Sequence, residues 1–143
     1  GYDYVEDFRD ALDRADIVTM HRPGNQDGSP VMTGQDFSRM RKGSVLINTA
    51  RGTLFDEDAL YQALTNGPLG AAGLDVTRDE PPASDLPLLS LDNVMFSPHI
   101  AGVTREAFRA MGLRAVQNCL DAFDGKLDDY YLINPEVLQR SDG

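Results

Sequence analysis

The chain has 143 residues, 41% of them hydrophobic and 25% charged, and its 23 acidic against 13 basic side chains give a formal net charge of −10. A single core at this size buries roughly 70% of the surface its unfolded chain exposes, which argues against disorder, and an acidic chain without clustered Lys and Arg is unsuited to phosphate-dominated nucleic-acid binding. Cys119 is the sole cysteine, no apolar run nears the ~20 residues of a membrane span, and Gly1 to Glu6 carry no targeting pattern, so a cytoplasmic protein that neither spans nor enters a membrane is expected.

In chain order, the patterning predicts a helix over 6–14, a strand over Ile17–Met20, and a helix over 33–40 with Thr33 and Asp36 as a capping-box variant. A strand at Val45–Asn48 and a helix up to Thr65 with Asp56 as N-cap follow, ended by Asn66-Gly67-Pro68. Strands are expected at Ala72–Val76 and Val94–Phe96, then a long helix over 104–123 stopped by Gly125. Phe108, Met111, Ala115, Cys119 and Ala122 share one face of that helix, and its other apolar positions predict burial on more than one side, with Cys119 as a small core residue. Short, mostly apolar strands alternating with helices indicate an α/β fold with a parallel sheet covered on both faces. The stretch Arg78–Leu91, with Pro81, Pro82 and Pro87, is a loop long enough to call for a functional role. Gly67, Gly70 and Gly73 do not form G-x-G-x-x-G and are read as a helix stop and close strand packing. Residues after Asp128 carry no assignable pattern.

The polar residues fall at one kind of position. His21 follows the first predicted strand, Arg51 the second, Asp75 ends the third and His99 follows the fourth. In open parallel sheets the ligand crevice lies outside the carboxyl ends of the strands, so these four residues are expected to converge on a site. A histidine exchanges protons near neutral pH, and Glu80 is the candidate carboxylate beside His99. Arg51 offers a planar fork suited to a bidentate carboxylate; the alternative is a salt bridge to a surface acid. Gly52 after it permits a tight turn. Asp56-Glu57-Asp58 is read as helix-start acids rather than metal ligands, and Ser97 lacks the G-x-S-x-G setting of a nucleophile.

Three motifs carry a family resemblance: Ile47-Asn48-Thr49-Ala50-Arg51-Gly52, then Gly73-Leu74-Asp75-Val76 with Glu80-Pro81, then Ser97-Pro98-His99-Ile100-Ala101-Gly102. In this order and spacing the chain resembles the NAD-dependent D-isomer-specific 2-hydroxyacid dehydrogenases, the family of D-3-phosphoglycerate, D-lactate and glyoxylate/hydroxypyruvate enzymes. The resemblance runs from about Asp10 to Gly125, and Asn134-Pro135-Glu136-Val137 is similar to the family's C-terminal stretch.

The fold it implies is the second half of a Rossmann-type doubly wound parallel sheet plus a long C-terminal helix. Residues 1–125 would be the C-terminal part of an NAD-binding domain and 126–143 a tail returning to a substrate domain. The resemblance makes Arg51 the group binding the substrate carboxylate, and His99 with Glu80 the catalytic acid/base pair. Asp75 would contact the nicotinamide carboxamide, Thr49 and Ala50 would line the cofactor, and His21 with Pro23 resembles the family's His-x-Pro. The expected cofactor-binding set is thus His21, Arg22, Pro23, Thr49, Ala50, Arg51, Asp75, His99 and Gly102, with NAD as cofactor and NADP not excluded. Partners implied are a small 2-hydroxy or 2-keto acid and a second copy in a homodimer.

After His21-Arg22-Pro23 the family's usual Leu-Thr is replaced by Gly24-Asn25-Gln26-Asp27-Gly28, so this loop's contacts are expected to differ. No G-x-G-x-x-G is present, so the chain is expected to be an incomplete piece of the enzyme that binds NAD poorly and turns over little. The alternative from another class is a non-catalytic, NAD-sensing corepressor-like binding module of the same fold.

Overall fold

In the computed structural model, which describes residues 1–136, four parallel strands form one sheet: β1 (Ile17–Met20), β2 (Ser44–Asn48), β3 (Leu69–Leu74) and β4 (Val94–Phe96). They lie in the order β1-β2-β3-β4, with Met20 beside Asn48, Asn48 beside Leu74 and Leu74 beside Phe96. That register lines up the carboxyl ends, so the segments that follow all leave from one edge of the sheet. Three helices are present among the described residues: α1 (Gly34–Ser38), α2 (Glu57–Thr65) and α3 (Arg105–Phe123). The chain divides into two compact units, Gly1–Ala101 and Gly102–Gly143. The expected tail to residue 143 and the motif position Val137 extend beyond Glu136, outside the described residues.

The first unit holds the core. Met20, Leu46, Ala72 and Leu74 share one face of the sheet and are buried, joined by Phe37 of α1 and Leu60, Ala63 and Leu64 of α2. Each leucine, methionine and phenylalanine among them contributes roughly 1.5–3 kcal/mol when fully removed from water. The opposite face departs from the expected two-sided cover: Val45 and Ile47 are half-buried, while Ile17 is 61% and Met95 77% exposed. Both exposed residues lie on edge strands, which have a neighbour on one side only.

Other elements also differ from expectation. Over residues 6–14 only a 3₁₀ turn forms, Phe8–Ala11, capped by Asp7 accepting the Arg9 N–H. Leu12 is the one buried residue there, and a short polar segment with a single anchor cannot repay the cost of a full helix. α1 is shorter than predicted, but Thr33 does cap it: its N–H and hydroxyl both donate to Asp36 Oδ2, at 2.8 and 2.9 Å. β3 begins at Leu69, earlier than expected, because Gly70 lets that end of the strand run against the backbone of Gly43; a Cβ at Gly70 would sit 2.8 Å from the Gly43 oxygen. Gly73, by contrast, has open space around its missing Cβ and no tight packing.

α3 has the predicted extent and ends at Gly125, whose φ of +68° suits a glycine. Its predicted burial is not found. No residue of α3 is buried, Phe108 and Met111 are 70% and 58% exposed, and Cys119 is exposed rather than a core residue. An apolar stripe is covered only by another packed element. Within the second unit the one described neighbouring element is the short turn Asp129–Tyr131, where the Arg114 guanidinium lies 4.9 Å from the Tyr131 ring centre. Among the described residues no helix is long and apolar enough to cross a membrane.

Candidate active site

β3 ends at Leu74, and the next residue, Asp75, is 3% exposed although charged. Its carboxylate is fully engaged. Oδ1 accepts the Ser97 hydroxyl at 2.5 Å and the Ile100 N–H at 2.9 Å, and Oδ2 accepts the Ala101 N–H at 2.9 Å. Its carbonyl accepts the His99 N–H at 2.9 Å. The chain leaving β4 is thereby tied across the end of β3. Burial pushes the Asp75 carboxyl up, but these hydrogen bonds and the nearby His99 hold it below its ordinary value.

His99 stands in the middle of that tied segment with φ +53°, the one non-glycine residue among those described with positive φ. Its Nδ1 lies 2.7 Å from Glu80 Oε2, with the two side chains 50% and 40% exposed. Glu80 comes from the loop after β3, and its other oxygen accepts the Thr77 N–H at a long 3.4 Å. The hydrogen bond from His99, foremost, lowers the Glu80 pKa, with Arg51 adding a smaller attraction. Because Nδ1 faces Glu80, Nε2 is the nitrogen left to address a ligand. Beside the pair is a cavity of ≈ 440 Å³ with Asp75, Glu80 and His99 in its wall and an apolar lining from Pro81, Leu89 and Phe96.

Arg51 reaches the same edge from β2. Asn48, 0% exposed at the last position of that strand, accepts the Ala50 N–H on its side-chain oxygen and donates to the Arg51 carbonyl at 2.9 Å. This side-chain turn leaves Thr49 and Arg51 exposed and Ala50 half-buried. The Arg51 guanidinium donates only to the neighbouring Ala50 carbonyl and forms no salt bridge among the described residues, so the alternative of a surface ion pair is not realised. Gly52 is required for a reason other than the expected turn: a Cβ there would lie 2.0 Å from the Thr77 carbonyl atoms. The Arg51 turn and the Glu80 loop touch backbone to backbone at that point.

His21 follows β1 and is exposed, its Nε2 2.9 Å from Thr19 Oγ1. Arg22 donates to the Pro23 carbonyl and to Asn25 Oδ1, both at 3.2 Å. The atypical segment after it is internally braced, with Asn25 donating to Ser29 and Ser29 to Asp27. Gly102 opens the second unit. His21, Thr49, Arg51, Asp75 and His99 therefore all follow carboxyl ends of adjacent strands, while the contacts of His21 stay within its own segment.

The parts that Asn48, Ser97 and Glu57 play in holding the site escaped sequence reasoning. Glu57, in the first turn of α2, accepts the Arg78 N–H at 2.8 Å and so secures the loop that carries Glu80. Asp56 has the predicted cap role, accepting the Asp58 and Ala59 N–H groups. A signal for Asn48 existed: an amide side chain closing an otherwise apolar strand is a turn former. For Ser97 and Glu57 the partners lie 22 and 21 residues away, beyond any local pattern.

Residues 1–101 match the family described as D-isomer specific 2-hydroxyacid dehydrogenase, NAD binding domain. Over 143 residues the chain is 36% identical to a D-3-phosphoglycerate dehydrogenase of Methanocaldococcus jannaschii, covering all of this chain and 27% of that protein. It is 40% identical over 131 residues to glyoxylate/hydroxypyruvate reductase B of Klebsiella pneumoniae, covering 92% of this chain and 40% of the relative. Among solved structures, a putative D-isomer specific 2-hydroxyacid dehydrogenase from Polaromonas superposes with a TM-score of 0.81 at 32% identity, covering 88% and 39% of the two chains. D-lactate dehydrogenase with NAD+ from Lactobacillus jensenii gives 0.76 at 30% identity, covering 84% and 40%. The chain thus spans less than half the length of each of these relatives. Its parallel sheet is of the Rossmann type, its cofactor is NAD, and the chain belongs to the D-isomer-specific 2-hydroxyacid dehydrogenases.

Proposed function

We propose that this protein is an oxidoreductase that transfers a hydride between NAD(H) and a D-2-hydroxy acid or its 2-keto acid. The observation that carries the reading is the His99 Nδ1–Glu80 Oε2 pair at 2.7 Å, on the same sheet edge as an arginine with no acidic partner among the described residues. The chemistry of this set fits a nicotinamide neighbourhood: an acid/base pair and a carboxylate anchor, with the small, half-buried Ala50 between strand and anchor. His21, Arg22, Pro23, Thr49, Ala50, Arg51, Asp75, His99 and Gly102 would hold the cofactor, with Asp75 at the nicotinamide carboxamide. When bound, NADH supplies the hydride to the substrate carbonyl carbon.

The side chains supply the rest. Arg51 would bind the substrate carboxylate through its planar fork and orient the carbonyl. With Nδ1 engaged by Glu80, the imidazolium of His99 gives its Nε2 proton to the carbonyl oxygen as negative charge develops there, and Glu80 balances the charge on the ring. In oxidation the neutral imidazole takes the hydroxyl proton. A homodimer in the cytoplasm, with residues 1–125 in the NAD-binding domain and 126–143 in a tail to a substrate domain, belongs to the same proposal and rests on family membership.

The test is loss of NADH or NADPH absorbance with a panel of 2-keto acids, run on this chain and on a longer chain of its relatives' length. Turnover in the longer chain is expected, falling by about 10²–10⁴-fold in His99→Gln, the range of a lost proton-transfer group. Arg51→Lys is expected to raise KM because the bidentate fork is gone. Tight NADH binding with no turnover of any 2-keto acid would overturn the enzyme reading in favour of an NAD-sensing binding module.

A further inference from the structure

Glu80 can serve His99 only if the segment that carries it is held in place, and that segment has few ties. From Val76 to Pro82, two hydrogen bonds among the described residues leave the segment: the Glu80–His99 pair itself, and the Arg78 N–H donating to Glu57 Oε1 at 2.8 Å. The others are local, with Thr77 Oγ1 donating to the Asp79 carbonyl at 2.7 Å and the Thr77 N–H reaching Glu80 Oε1 at 3.4 Å. Gly52, packed on the Thr77 backbone, bars the loop from moving toward the Arg51 turn but does nothing to stop it moving away. The pair is partly open to water, which competes for both of its members. Glu57 is thus the polar tie that places Glu80 independently of His99.

The helix does not need Glu57 as a cap, because Asp56 already accepts the Asp58 and Ala59 N–H groups. Leu60, Ala63 and Leu64 of the same helix are buried in the core, so the Glu57 carboxylate is carried on a fixed element. It stands between Asp56 and Asp58 and forms no salt bridge among the described residues. A helix N-terminus favours any negative charge, whereas the Arg78 N–H asks for an acceptor oxygen at one place. We infer that Glu57 is a positioning residue, which links the core through α2 to the Arg78 backbone and so sets Glu80 where it meets His99. The inference rests on the proposed role of His99 and Glu80 as the proton-exchanging pair. It adds to that pair the requirement that its acid be placed beforehand, so that no binding energy is spent on ordering the loop.

The test reads the pair by NMR in this chain and turnover in the longer one. The chain has two histidines, so His21→Asn leaves His99 as the single source of imidazole signals. In that background Glu80→Gln is expected to shift the His99 imidazole nitrogens, reporting the pair. With Glu57→Ala in place the same step is expected to lose most of its effect, and the Arg78 amide to exchange about tenfold faster, as for loss of a charge-assisted bond. Glu57→Gln drops the charge but keeps an acceptor oxygen, so it is expected to retain most of both readouts. Glu57→Ser, too short to reach Arg78, replaces Glu57→Ala if that variant does not fold. In the longer chain Glu57→Ala is expected to lower kcat for 2-keto acid reduction about tenfold with KM little changed, and to add little once Glu80→Gln is present. An undiminished response to Glu80→Gln in Glu57→Ala, or in Glu57→Ser where only that variant folds, overturns the proposal. So does an equal loss in Glu57→Gln and Glu57→Ala, the mark of a helix-start charge. If no 2-keto acid is turned over by the longer chain while the NMR coupling depends on Glu57, the dehydrogenase reading fails and the positioning role stands.

Discussion

Asp36, 3% exposed, is a charge the fold depends on. It accepts two bonds from Thr33 and a third from Arg9 Nε at 2.7 Å, and Arg9 also donates to the Val31 carbonyl, so one carboxylate joins the N-terminal turn to the start of α1. Burial raises its pKa, yet the Thr33 and Arg9 contacts together bring it below the ordinary carboxylate value. A depressed folded-state pKa contributes stability that is present above the unfolded value of about 3.9 and lost as pH falls through the folded one. Urea unfolding should therefore find Asp36→Asn less stable than the parent at pH 7, with the gap closing below about pH 3.9. The sequence made Asp36 visible as a cap, since Thr33 and Asp36 stand three apart, but not the pairing with Arg9, 27 residues away. The site divides along the same line. Arg51, Glu80 and His99 could be read from residue type and motif, whereas Ser97 and Glu57 act on the Asp75 carboxylate and the Arg78 N–H, partners whose positions only the folded chain defines.

Between elements, the closest approach in the site is made without side chains. Gly52 lies against Thr77 and Arg78, and a Cβ would come within 2.0 Å of Thr77 carbonyl atoms and 2.4 Å of the Arg78 nitrogen. Backbone cannot swing aside like a side-chain end, so Gly52→Ala must separate the Arg51 turn from the Glu80 loop or distort one of them. The expected loss is about 1–3 kcal/mol, the range of overpacking, measured by urea unfolding. Leu46, on β2 and 0% exposed, probes the opposite fault: Leu46→Ala is expected to cost about 2–5 kcal/mol by opening a cavity that the sheet and helices cannot close. Strands β1 and β4 have the boundaries their apolar runs predict, because nothing but the run defines them. The start of β3 at Leu69 was not placed by its apolar run, although the close strand packing read for these glycines is found at Gly70, against Gly43. The helix expected over 6–14 failed for the converse reason, a periodic pattern with only Leu12 to bury.

At the scale of the molecule, the parallel α/β architecture was legible because alternating short apolar runs and helical segments admit few other arrangements. The cover of each sheet face was not, because the same β-rich run suits a strand buried on one side or on both. The open face at Ile17 and Met95 has a consequence for handling the protein in solution. A net charge of −10 makes approaching copies repel, and the exposed apolar side chains of Ile17 and Met95 make those that touch adhere. Salt removes only the first effect, shortening the reach of the repulsion from about 30 Å at 0.01 M to about 3 Å at 1 M. Light scattering should accordingly rise with sodium chloride for the parent chain and stay flatter for Ile17→Thr/Met95→Lys. Colloidal stability in this protein is thus a contest between its acid excess and the apolar side chains that the edge strands of its sheet leave exposed.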